Sequence, residues 1–179
     1  MNPNEVAAAA VEVNGETVRA MVAGMSELAP FARKALAAHG VSEPQPGQWY
    51  PQQAWLEAFR EIAETLGPNT LFRIGCKIVD HAHFPSGIGS IEEALAAIDV
   101  AYQMNHRGGD IGSYEFVRTT PRSGRVICRN PYPSDFDRGI IQSVANRFLA
   151  EGDRFSVHMD YNSPTRKTGA DSCTFLVSW

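Results

Sequence analysis

The sequence predicts an α+β domain in which helices come first and an antiparallel sheet follows. Three patterns predict it. Apolar residues recur at helical spacing through residue 108, the period switches from 3.6 to 2 after Gly109, and a later helical stripe separates two pairs of alternating segments. The last 70 residues thus read strand–strand–helix–strand–strand.

Taken in order, residues 15–38 are expected to be helical with a break near Pro30, while Asn14-Gly15 offers a hairpin turn as the competing reading. Pro44 and Pro46 make residues 41–47 a loop. Trp55, Phe59, Ile62 and Leu66 form one stripe of an amphipathic helix that Gly67-Pro68 stops. Leu71, Ile74, Gly75, Ile78 and Ala82 repeat the pattern as far as Phe84-Pro85. Ser90-Ile91-Glu92-Glu93 is a capping box, and Ile91, Leu95, Ile98 and Tyr102 line the helix behind it, expected to end at Gly108. Tyr114 to Val117 and Arg125 to Arg129 then read as strands. Ile140, Ile141, Val144, Ala145, Phe148 and Leu149 read as a helix, and the segments around Val157 and Phe175 as the final strands.

Length and composition set the bounds. The 179 residues suit one domain over 1–179, with 1–47 as a helical extension and loop, and 44% hydrophobic with 20% charged residues is a globular composition. A net charge of −4 argues against a general nucleic-acid binder. Cys76, Cys128 and Cys173 are too scattered for a disulfide framework, which points to a reducing, cytoplasmic setting. Met1 to Ala10 lacks a signal peptide's basic start, and no apolar stretch is long enough to span a membrane. Gly108 to Gly112 follows a helix and enters a strand, the reverse of a phosphate-binding loop, so it reads as a helix stop.

Certain segments carry a resemblance: Trp49-Tyr50-Pro51, Tyr102 to Gly109, Asn130-Pro131-Tyr132-Pro133, Phe136 to Ile141 and Gly169 to Phe175. From roughly Gln48 onward the chain resembles an uncharacterised bacterial group. That group lies within or beside the superfamily of haem-nitric-oxide-binding domains, 4-vinyl-reductase-like domains and TRAPP transport subunits. The resemblance implies a pocket or a partner surface, not a reaction.

Five candidate sites follow. The resemblance implies a zinc site in which Cys173 would be joined by thiols at Ser134 and Thr165; hydroxyls stand there instead, so Cys173 is expected to be the remnant of a lost site and no metal is expected. Cys76, His81 and His83 are badly spaced for a shared ligand set, and the histidines suit a helix end better. For haem, His106 would be the axial ligand. The Tyr-x-Ser-x-Arg motif of the haem-binding relatives is matched only loosely by Tyr161 to Arg166, so no cofactor is expected. His158 and Asp160 share one face of a strand, which reads as a solvated face more than as a base and its orienter. Residues 130–138 form a rigid loop that suits a pocket rim, with Asp135 or Asp137 expected to cap the next helix.

The sequence therefore predicts a non-enzymatic, small-molecule-binding or sensory domain with an apolar pocket between helices and sheet. Tyr102, His106, Cys128, Tyr132, Phe136 and Cys173 are expected to line it, around a small apolar or aromatic ligand. A homodimeric interaction module without ligand is the first alternative, and a haem-based gas sensor the second. A second copy and a signalling protein are the expected partners.

Overall fold

The computed structural model describes residues 10–179. The first nine residues, and with them nearly all of the Met1–Ala10 reading, lie outside the described residues. Strand β1 (Glu12–Asn14) leads directly into helix α1 (Gly15–Gly24). Asn14-Gly15 is no hairpin: the Asn14 side chain accepts from the Thr17 N–H at 2.9 Å and caps the helix. Gly15 is required there, because a Cβ would stand 1.8 Å from the Gln45 carbonyl oxygen. A 3₁₀ turn (Ser26–Leu28) separates α1 from α2 (Ala29–Ala38), so the predicted break falls before Pro30, which sits in the first turn of α2.

Strand β2 (Trp49–Pro51) runs into α3 (Gln52–Leu66), which buries Trp55, Ala58, Phe59 and Ile62 along the predicted stripe. Gly67, at φ +82°, turns the chain into α4 (Pro68–Ile78). This helix ends before Ala82, and the exposed His81 and His83 lie beyond it. Helix α5 (Ile91–Met104) opens as predicted: the Ser90 hydroxyl accepts from the Glu93 N–H at 3.2 Å, while the Glu93 carboxylate accepts from the Gly89 N–H. It closes four residues before Gly108, and His106–Arg107 form strand β3.

The Asn105 side chain explains that early stop. Its amide donates to the carbonyls of Ala101 and His83, and its oxygen accepts from Asn14 Nδ2 at 2.7 Å and from the His83 N–H at 2.9 Å. One side chain thus ties the end of α5 to the start of α1 and to the loop after α4. The chain then leaves as β3 to pair with β1, in a small antiparallel sheet of order β2-β1-β3 absent from the predicted order.

Strands β4 (Ser113–Thr120) and β5 (Ser123–Arg129), helix α6 (Ser134–Arg147), and strands β6 (Ser156–Met159) and β7 (Cys173–Ser178) follow. The second sheet is antiparallel with order β4-β5-β7-β6, and its register sets Cys128 opposite Cys173. Helix α6 ends at Arg147, short of the predicted Leu149. It packs against α4 backbone to backbone: a Cβ on Gly75 would lie 2.2 Å from the Phe136 carbonyl oxygen, and one on Gly139 would lie 2.2 Å from that of Phe72. Among the described residues no helix is long and apolar enough to cross a membrane.

The contact between Gly75 and Gly139 is directly testable. Gly75→Ala gains up to about 1 kcal/mol of helix propensity but forces α4 and α6 apart, and overpacking costs about 1–3 kcal/mol. Urea unfolding should show a net loss of stability, whereas Gly89→Ala, whose Cβ would meet nothing closer than 3.7 Å, should change it by less than about 0.5 kcal/mol. A Gly75→Ala protein as stable as the parent would contradict the close approach.

Candidate functional site

Helices α4, α5 and α6 enclose a cavity of about 50 Å³ whose far wall is aromatic. Ile78, Ala101, Ile140 and Val144 supply aliphatic walls; Tyr102, His106, Tyr132 and Phe136 close the other side. The aromatic wall is continuous with the core. Tyr132 and Phe136 lie 5.2 Å apart between ring centroids, Phe136 lies 4.8 Å from Phe59, and Phe59 lies 5.1 Å from Trp55.

His106 carries the one imidazole of this wall. Its Nδ1 lies 2.8 Å from the Tyr102 carbonyl oxygen, which can only accept, so Nδ1 carries the proton. Its Nε2 therefore accepts from the Tyr132 hydroxyl at 2.6 Å, and that hydroxyl accepts in turn from Gln52 Nε2 at 3.2 Å. Burial disfavours the imidazolium and pulls His106 down to about 4, only partly opposed by the Tyr102 carbonyl. Burial also pushes the Tyr102, Tyr114 and Tyr132 phenols up. The arrangement is a neutral imidazole with a fixed tautomer and one lone pair held by a buried phenol.

A second buried polar cluster lies behind this wall, centred on Asp137. Its carboxylate accepts from the Tyr114 hydroxyl at 2.6 Å and from Asn130 Nδ2 at 3.4 Å, and it is ion-paired with Arg166. Arg166 also donates to the Cys128 carbonyl at 2.9 Å. Burial pushes the Asp137 carboxyl up, while Arg166, Tyr114 and Asn130 pull it back. The guanidinium stays protonated and provides the countercharge that keeps Asp137 ionised. The Cys173 thiol lies 3.9 Å from the same carboxylate.

The structure divides the six predicted lining residues into two groups. Tyr102, His106, Tyr132 and Phe136 meet at the cavity; Cys128 and Cys173, both fully buried, lie with Asp137 and do not reach it. His106 stands on β3, not in the helix expected to run to Gly108. Neither Asp135 nor Asp137 caps α6, because Pro133 occupies the cap position without a side-chain bond. Sequence reasoning gave Asp137 only as a helix cap and missed its buried role, although one signal was present: it precedes Ile141 by four and Val144 by seven residues, a charge on the buried stripe. Cys76 sits half-buried on α4 and is not gathered with His81 or His83 among the described residues. His158 faces solvent, whereas Asp160 is buried and accepts from the Ser163 hydroxyl and the Asn162 N–H, closing a turn. In the Tyr161–Arg166 segment, Tyr161 is exposed and Arg166 is committed to Asp137.

The depressed His106 value makes a pH prediction. The unfolded chain binds a proton near pH 6.5 and the folded chain only near 4, so His106 favours folding above 6.5 and that contribution is lost as pH falls toward 4. Between pH 7 and 5 the loss is about 2 kcal/mol, and urea unfolding of His106→Phe should lack that share of the slope. An unchanged slope in the variant would contradict the buried, neutral imidazole.

No protein-family model and no curated protein sequence matches the chain. Solved structures do. An H-NOX protein from S. oneidensis in the Fe(II)NO ligation state superposes with a TM-score of 0.66 at 10% identity, over 92% of this chain and 98% of that one. An oxygen-binding H-NOX domain related to soluble guanylate cyclases gives 0.61 at 13% identity, over 92% of both chains. A structure described as modulating haem redox potential through protein-induced porphyrin distortion gives 0.63 at 12% identity, over 93% of this chain and 99% of that one. The chain has the fold of the H-NOX proteins.

Proposed function

We propose that this chain is a non-enzymatic sensory domain on the H-NOX fold, and that it reads a small apolar ligand at the cavity beside His106 and Tyr132. The observation that carries the reading is the buried Nε2 lone pair of His106, set beside a mainly apolar cavity and held by one phenol. A ligand that displaced the Tyr132 hydroxyl would change the bonding of His106 on β3 and of Gln52 on α3 together. Such a coupled change is what a sensor needs. A cavity of about 50 Å³ holds a ligand of only a few heavy atoms, well below the roughly 300–1,000 Å³ of drug-sized sites. One domain over 1–179, cytoplasmic residence, a second copy and a downstream protein belong to the same proposal.

The solved neighbours give the haem gas-sensor alternative its support, and one observation favours it here. His106 has the tautomer of a metal-bound imidazole, with Nδ1–H donated to a carbonyl and Nε2 free of a proton. The surrounding space does not fit the group. Tyr102, Tyr132 and Phe136 occupy the volume beside Nε2, and Arg166 is bound to Asp137 and so not free for a propionate. As packed, these residues do not accommodate a porphyrin.

Two measurements test the proposal. Under xenon, a probe of dry apolar cavities, NMR signals of Ile140, Val144 and Tyr132 should shift, and Ala101→Leu, which fills the cavity, should abolish the response. No response in the parent chain would contradict the cavity reading. Titration with hemin should give no stoichiometric Soret band. A 1:1 band lost in His106→Ala would replace the proposal with the haem sensor.

A further inference from the structure

Tyr114 of the cluster behind the aromatic wall reaches the cavity, whereas Cys128, Cys173 and Asp137 do not, and these three gather the donors of a metal site. Cys128 Sγ, Cys173 Sγ and an Asp137 carboxylate oxygen lie within 4.8 Å of one another, and all three residues are fully buried. Three separate features produce this. The β5–β7 register places the two cysteines opposite each other, α6 carries Asp137 inward, and neither thiol is in a disulfide. We infer that Cys128, Cys173 and Asp137 form a binding site for a thiophilic divalent cation of the zinc type.

The ligand set differs from the one the family resemblance implies. Ser134 and Thr165, where that resemblance would put thiols, are buried hydroxyl residues. Cys128 comes from a strand and Asp137 from a helix that the cysteine spacing never pointed to. Thiolate–zinc bonds of about 2.3 Å and carboxylate–zinc bonds of about 2.0–2.2 Å need the three donors to close in only slightly. The remaining position of a tetrahedron falls to water or another small donor.

Charge balance supports the site. Without metal, the cluster holds one carboxylate, one guanidinium and two thiols, and is neutral. Binding forms two sulfur–metal bonds and releases both thiol protons to solvent; two thiolates, the carboxylate, Arg166 and a divalent ion again sum to zero. Arg166, Tyr114 and Asn130 already orient the carboxylate, the part that outer hydrogen bonds play around bound metals. None of the three donors lines the cavity proposed above for a small ligand.

Cobalt(II) is the probe. The full chain, stripped with a chelator under reducing conditions, should bind one equivalent with a thiolate-to-cobalt band in the near ultraviolet and tetrahedral bands in the visible. Zinc should displace it. Cys128→Ser should weaken binding at least a hundredfold while Cys76→Ser leaves the spectrum unchanged. Circular dichroism of each metal-free variant checks folding, and Cys173→Ala replaces Cys128→Ser if the latter fails to fold. Absence of a charge-transfer band from the folded parent chain would overturn the inference, as would a band that survives Cys128→Ser. A thiol titration showing one free cysteine in the unreduced protein would overturn it in favour of a cross-strand disulfide.

Discussion

The C-terminal half is organised around one buried charge. Asp137 sits on the inward face of α6, fully buried, and draws to itself Tyr114 of β4, Asn130 after β5 and Arg166 from the β6–β7 connection. A carboxylate in that position is costly unless paired and hydrogen-bonded, and removing one partner of such a pair costs about 3–5 kcal/mol. The pairing therefore fixes where α6 lies on the sheet. The paired glycines at Gly75 and Gly139 then set how closely α4 approaches α6, and so how much room remains between them and α5.

That room is small, and its shape follows from the same restraints. With α6 pinned from below, Tyr132 and Phe136 are carried into the space beside α5, where they meet Tyr102 and His106. Burial leaves His106 no stable charged form near neutrality, so it must satisfy itself as a neutral ring. A carbonyl on one side and a phenol on the other do so with one tautomer. In this chain a wall of aromatic side chains thus stands beside the buried imidazole.

Much of the fold was legible in the sequence. The α3 stripe, the Ser90 cap and the change of period after Gly109 each rest on local chemistry, and each appears where the pattern put it. What was not legible depends on contacts distant in sequence. Nothing local to Met104 says that α5 must stop, because Asn105 ends it by reaching Asn14 and His83. The strand at His106–Arg107 exists only because β1 is there to pair with it. Of the site, Tyr102, His106, Tyr132 and Phe136 could be found from their motifs. The separation of Cys128 and Cys173 into another cluster could not, since it requires the β5–β7 register and the inward turn of Asp137.

At the centre of the site His106 is a neutral, Nδ1-protonated ring whose Nε2 accepts from the Tyr132 hydroxyl. Long-range proton–nitrogen NMR of the imidazole tests it most directly, since the two ring nitrogens report their protons separately. A ring so held shows a protonated Nδ1 and an unprotonated Nε2 at pH 7, unchanged at pH 5.5. An Nε2-protonated ring at pH 7, or an imidazolium at pH 5.5, would contradict it.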